Sequence, residues 1–139
     1  MAPKRAIEVS LELSSLYKRR REIDEEIEKL ELVEAKKYYE MMENKADNMM
    51  HGPANAAVCK EFDFYYNSFL NSSDATLESM KYDMQQHLLA YEIFDKLPYE
   101  KWDKYYESIY EQCGLILDSS IDQDEFDENR RDMIDEANE

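Results

Sequence analysis

Hydrophobic residues in the first third of the chain recur every three or four positions, which is the spacing of one face of an α-helix. No Gly or Pro interrupts residues 4–50, so we predict one long helix or two nearly collinear helices there. The first half carries a heptad seam, interrupted by Arg20, whose members are Val9, Leu13, Leu16, Ile23, Ile27 and Leu30. A second seam, displaced from the first, comprises Leu32, Ala35, Tyr39, Met42, Ala46 and Met49. The two halves are therefore expected to face different neighbours.

Turn-forming residues divide the remainder of the chain into shorter segments with helical spacing. His51-Gly52-Pro53 ends the first segment, because Gly suits the end of a helix and Pro suits the start of the next one. Asn71–Asp74 separates the second helix from the third and offers side-chain oxygens that cap the third. Pro98 begins a fourth helix, which we expect Gly114 to close. A last helix is expected after Asp122.

These patterns predict an all-α fold in which a long N-terminal helix, coiled-coil-like in its first half, packs through its second half with three to four shorter helices in a small bundle. We divide the chain into a projecting coiled-coil arm (residues 1–31), a helical bundle (residues 32–117) and an acidic C-terminal helix or tail (residues 118–139), all within one domain. At about 65–70 Å, the first helix is too long for following helices of about 25–35 Å to cover.

We therefore expect the arm to form a homodimer through its heptad seam. An exposed seam of this length would otherwise favour aggregation. The alternative is a monomer in which the first segment bends near Glu31 and folds back on itself.

The 33 acidic residues outnumber the 17 basic ones and give a net charge of −16. The acidic excess is two over residues 1–50, five over residues 51–100 and nine over residues 101–139. Near the C-terminus, acids recur at helical spacing on either side of Asn129, at Asp118, Asp122, Glu125, Asp132, Glu136 and Glu139. Such a surface repels nucleic acid phosphates and anionic membranes, so we expect neither as a direct partner. Acids also oppose the dipole at the end of a helix, so we expect this end to fray.

Apolar segments and cysteines bear on the compartment. No stretch approaches the ~20 apolar residues that cross a bilayer, and no apolar signal-peptide core follows the first residues. We therefore expect a cytoplasmic protein whose isolated Cys59 and Cys113 remain free thiols.

Motifs for catalysis or for a cofactor are lacking. Two distant glycines form no phosphate-binding loop, and neither His51 nor His87 lies in a recognisable catalytic or zinc-binding spacing. The acidic stretch at residues 118–129 has Gln123 and Asn129 where a calcium loop needs Gly and Glu. We therefore expect no enzymatic activity, no metal and no cofactor.

Tyrosines and acids instead point to a protein-binding surface. The chain contains 11 tyrosines, among them the adjacent pair Tyr105 and Tyr106, and tyrosine is a frequent interface anchor. If residues 118–139 were fully helical, ten acids over 22 residues would give about one carboxylate per 3.3 Å. This is close to the ~3.4 Å phosphate spacing along one DNA strand.

We therefore expect a non-catalytic protein that binds a basic surface of a protein partner and inhibits a nucleic-acid-binding protein by charge mimicry, as small acidic phage inhibitors do. The acids and the Tyr105/Tyr106 pair would form the binding surface. One alternative is a structural adaptor that dimerises by the coiled coil and binds a partner through a Tyr- and Met-lined surface. Another is that the acidic end is only a solvated tail.

Overall fold

The computed structural model describes residues 2–139, with side chains from Arg5 onward, and this part of the chain forms five α-helices and one 3-10 turn without a strand. The helices are α1 (Ala2–Met49), α2 (Gly52–Asn71), α3 (Leu77–Phe94), α4 (Trp102–Leu117) and α5 (Gln123–Ala137), and the 3-10 turn is Tyr99–Lys101. The predicted all-α fold, with a long first helix and a small bundle of four shorter helices, is confirmed. None of the described helices is long and apolar enough to span a membrane.

The chain divides into two compact units, one ending at Ala35 and the other comprising Lys36–Glu139. In the first unit, every residue from Arg5 to Leu30 is exposed on the surface of α1. This stretch is rich in Glu, Arg, Lys and Leu, which favour helix, and contains no Gly or Pro. The helix therefore agrees with the sequence of this stretch, whose large apolar side chains are exposed.

In the second unit, the last turns of α1 provide one wall of the core. Met42 and Ala46 are fully buried, as their seam predicts, but the next buried residue is Met50 and not Met49. The helix ends at Met49, and the backbone N–H of Met50 still bonds to the carbonyl of Ala46 at 3.0 Å. Met50 therefore extends the i, i+4 row inward, while Met49 is left 42% exposed.

A hydrophobic core connects α3, α4 and α5. Its largest fully buried members are Ile93 and Phe94 on α3, Ile109 on α4 and Phe126 on α5. Trp102 begins α4 and donates its indole N–H to the carbonyl of Phe94 at 3.0 Å, so one side chain fixes the entry of α4 against the end of α3. Packing of this kind is what keeps short helices folded in water.

Two helix boundaries differ from those predicted. The cap of α3 is Thr76, in a reciprocal capping box with Ser79, and not the Asn71–Asp74 segment. Gly114 does not close α4, which continues to Leu117. A Cβ at Gly114 would lie 3.6 Å from the Gln86 amide, an ordinary van der Waals distance, so the glycine is an interior residue of α4 that faces α3.

Candidate functional site

The acidic C-terminal segment forms the ordered helix α5, which begins with a side-chain cap. Asp122 accepts the backbone N–H of Glu125 at 2.8 Å, and acids at Asp124 and Glu125 lie in the first turn, where the helix dipole favours them. Phe126, 2% exposed, anchors the same turn in the core. The start of α5 is therefore specified by both capping and packing.

The other end of α5 is held by two contacts with earlier segments. The Lys101 ammonium donates to the carbonyl of Ala137 at 2.6 Å, and the Asn138 amide donates to the carbonyl of Lys96 at 3.0 Å. Ala137 itself is fully buried. A cation at the carbonyl end of a helix offsets the unfavourable effect of acids there. This explains how a last turn that the sequence predicts to fray is accommodated as helix.

All six predicted acidic residues are exposed, but they do not form one continuous helical row. Asp118 caps the end of α4 and accepts the Tyr82 hydroxyl at 3.0 Å. A turn with Ser119 at a φ of 61° then separates it from α5. The prediction that Asp118 shares a helix with the other acids is therefore wrong, because α4 ends there. On α5 and the residues that flank it, the row consists of Asp122, Glu125, Asp132, Glu136 and Glu139.

We call this row, together with the exposed acids Asp124, Glu128 and Asp135, the α5 acidic face. Arg130, one of the two basic residues of α5, forms ion pairs within the bundle. The Arg130 guanidinium lies 3.0 Å from the Asp127 carboxylate and 3.9 Å from that of Glu92, over the Phe126 ring. Its charge is thus used within the bundle, which leaves Arg131 as the exposed base of the helix.

The predicted tyrosine pair splits between the core and the surface. Tyr105 is 6% exposed and belongs to the core, so its ring is not available to a partner, contrary to the sequence prediction. Its position aligns with Ile109 and Cys113 at i+4 and i+8, which sets the buried face of α4. Tyr106 is 49% exposed and packs beside Tyr110, with the ring centroids 4.7 Å apart.

All six predicted dimerisation residues are exposed. The exposed fractions are 48% for Val9, 43% for Leu13, 55% for Leu16, 59% for Ile23, 48% for Ile27 and 61% for Leu30. The seam is thus an uncovered apolar strip on a helix.

Sequence reasoning missed a buried polar cluster around His87, which joins three helices. The ring nitrogens of His87 lie 2.6 Å from the Tyr110 hydroxyl on α4 and 3.1 Å from the Tyr65 hydroxyl on α2. Burial lowers the pKa of His87 to about 4 and raises that of Tyr110. The helical spacing of Met84, His87 and Tyr91 could have placed His87 on the inner face of α3.

A neutral His87 satisfies both hydroxyls, because one ring nitrogen donates while the other accepts. The Glu61 carboxylate lies 3.8 Å from Nε2, at the edge of the cluster, and burial raises its pKa. The cluster therefore functions as a hydrogen-bonded tie between α2, α3 and α4.

Both cysteine thiols are free and are kept protonated by raised pKa values. Burial raises the pKa of the Cys113 thiol to about 12 and also raises that of Cys59. A protonated thiol is a poor nucleophile and a poor metal ligand. Within the described residues, no three His, Cys, Asp or Glu side chains are placed to hold a metal ion.

Comparisons with protein-family models, with curated proteins and with solved structures gave no match, so the arguments below rest on this chain alone.

Proposed function

We propose that the protein is a non-catalytic binding protein that docks the α5 acidic face on a basic surface of a protein partner and inhibits a nucleic-acid-binding partner by charge mimicry. The proposal places it in the cytoplasm, where the two cysteines stay reduced. The observation that supports it is that both ends of α5 are held in place. Phe126 is buried near the start of the helix, and Lys101 binds the carbonyl of Ala137 at its end. A fixed row of carboxylates loses less conformational entropy on binding than a disordered tail does.

The charge density of α5 supports a nucleic-acid-like surface. Nine acids occupy the 18 residues from Asp122 to Glu139, about one per ~3 Å of helix axis. Phosphates follow each other at ~3.4 Å along one DNA strand. Because Asp127 is paired with Arg130, the other eight carboxylates are available to Lys and Arg of a partner.

Neutralising four acids of the α5 acidic face tests whether partner binding depends on the position of the acids or only on the total charge of the protein. The test variant carries Asp122→Asn, Glu125→Gln, Asp132→Asn and Glu136→Gln, and Asn at residue 122 preserves the helix cap. The control variant changes four exposed acids on the 3-10 turn and α4, Glu100→Gln, Asp103→Asn, Glu107→Gln and Glu111→Gln. Both variants lose four negative charges.

The assay is affinity capture from the native host, followed by measurement of the captured protein's affinity for each variant at about 50 and 500 mM salt. We expect the test variant to bind at least about tenfold more weakly than the control, because each lost charge contact is worth up to ~1 kcal/mol. High salt should weaken wild-type binding, and added DNA should compete. Equal affinities of the two variants, or binding that survives high salt and ignores DNA, would contradict the proposal.

The second candidate function is that of a structural adaptor that binds its partner through apolar contacts, because large apolar side chains are exposed on the second unit. Phe64 is 62% exposed, Tyr99 68% and Tyr106 49%. Binding through these residues would persist in high salt and would be lost in Phe64→Ser and Tyr106→Ser variants. The same salt series therefore separates the two candidates.

A further inference from the structure

The arm has opposite charges at its two ends. Residues 5–21 contain five basic and two acidic side chains, a net charge of +3. Residues 22–31 contain one basic and six acidic side chains, a net charge of −5. The change of sign occurs between Arg21 and Glu22, and all residues from 5 to 30 are exposed. A surface of this kind is complementary to itself when it is reversed.

From this arrangement we propose that the apolar seam is covered by the arm of a second copy of the chain, running antiparallel. A two-fold axis between residues 21 and 22 places Leu13 opposite Leu30, and Leu16 opposite Ile27. The same axis places Arg20 opposite Ile23. The seam then closes from residue 13 to residue 30 without a gap, and each layer pairs an a with a d position, as antiparallel coiled coils require.

This alignment also matches the net charges of the two halves of the arm. The basic half of each arm, which carries Lys18–Arg21, lies along the acidic half of the second copy, which begins at Glu22, and by symmetry the reverse contact forms too. A parallel pair in register would instead place Lys18–Arg21 beside its own copy. It would also bring two Arg20 side chains together inside the seam, where like charges are destabilising.

The size of the paired surface fits a weak but specific dimer. The seam from Leu13 to Leu30 is about 27 Å long, and two such strips would bury on the order of 1,000 Å² in total. This is the lower end of what a specific interface needs, so we expect a dissociation constant in the micromolar range.

Cysteine cross-linking tests the direction of the pair. The parent carries Cys59→Ser and keeps the buried Cys113, and single variants add Leu13→Cys or Leu30→Cys at exposed positions. One of the two single variants carries a tag that lengthens its chain, so that a covalent dimer of the two different variants is recognised by its size. In the antiparallel pair, residue 13 lies beside residue 30 of the second copy, but ~26 Å from the other residue 13.

Mild oxidation of the mixed variants should therefore give a covalent dimer of mixed size, in at least about tenfold higher yield than either variant alone. Sedimentation of the wild type should show a monomer–dimer equilibrium between about 1 and 300 µM. Efficient self-cross-linking of the Leu13→Cys variant would establish a parallel pair and overturn the proposal. A wild type that remains monomeric, or a dimer without the mixed cross-link, would also overturn it.

Discussion

Acidification should destabilise the bundle through His87. The histidine is 9% exposed and its pKa is lowered to about 4, whereas in the unfolded chain the value is the ordinary 6.5. The unfolded state therefore binds a proton between pH 6.5 and pH 4 that the folded state does not. The stability contributed by this group is fully present above pH 6.5 and is lost as the pH falls toward 4.

The size of the effect follows from the difference between the ordinary pKa of 6.5 and the lowered pKa of about 4. At ~1.4 kcal/mol per unit, the full linkage amounts to about 3 kcal/mol, of which about 2 kcal/mol is lost between pH 7.5 and pH 5. Glu61 on α2 and Asp83 on α3 act in the opposite direction, because their pKa values are raised and the folded state binds their protons first. Tyr65 and Tyr110 stay neutral throughout this range, because the pKa of each is raised.

The contribution of His87 is isolated by comparing the wild type with His87→Gln, which keeps a polar side chain but removes the titrating group. Urea unfolding at pH 7.5 and pH 5, followed by Trp102 fluorescence, gives the free energy of unfolding of each protein. The wild type should lose about 2 kcal/mol more than the variant on acidification. If the losses of unfolding free energy of the two proteins between pH 7.5 and pH 5 differ by less than ~0.5 kcal/mol, the reasoning is refuted. An NMR titration of His87 in the folded protein with its midpoint near 6.5 would refute it as well.

Three further predictions concern α5 and the thiols. Phe126→Ala should lower the free energy of unfolding by about 3–5 kcal/mol, measured by urea unfolding, because a fully buried ring is removed. Lys101→Met should cost about 1–2 kcal/mol and speed amide exchange in the last turn of α5, whereas the exposed Lys60→Met should do neither. A thiol reagent at pH 8 should label Cys59 faster than Cys113 in the folded protein, since Cys113 is fully buried and has a pKa of about 12, and equal rates would contradict this.

The sequence predicts the helices well, because their signals are local. The absence of Gly and Pro from residues 4–50 indicates α1, and the spacing from Trp102 to Cys113 indicates α4. Gly114 is misleading because a helix tolerates an isolated glycine, and nothing in the local pattern indicates that α4 continues to Leu117.

The candidate site is predictable only in part, since it depends on contacts between distant residues. The exposure of Glu125 and Asp132 follows from helical spacing, because neither lies three or four residues from the buried Phe126. The contact of Lys101 with Ala137 joins residues 36 apart, and that of His87 with Tyr110 joins residues 23 apart. Such pairs are set by the packing of helices, which periodicity does not specify.

The dense carboxylates of α5 link its folding to whatever binds them. The eight exposed carboxylates on α5 and at its two ends repel each other, and this repulsion favours local opening of the helix, which the contacts of Phe126 and Lys101 oppose. A cationic ligand that binds only the closed helix shifts this equilibrium by mass action, even if it contacts nothing else in the bundle. Protection of the α5 amides from hydrogen exchange would then measure how much of such a ligand is bound.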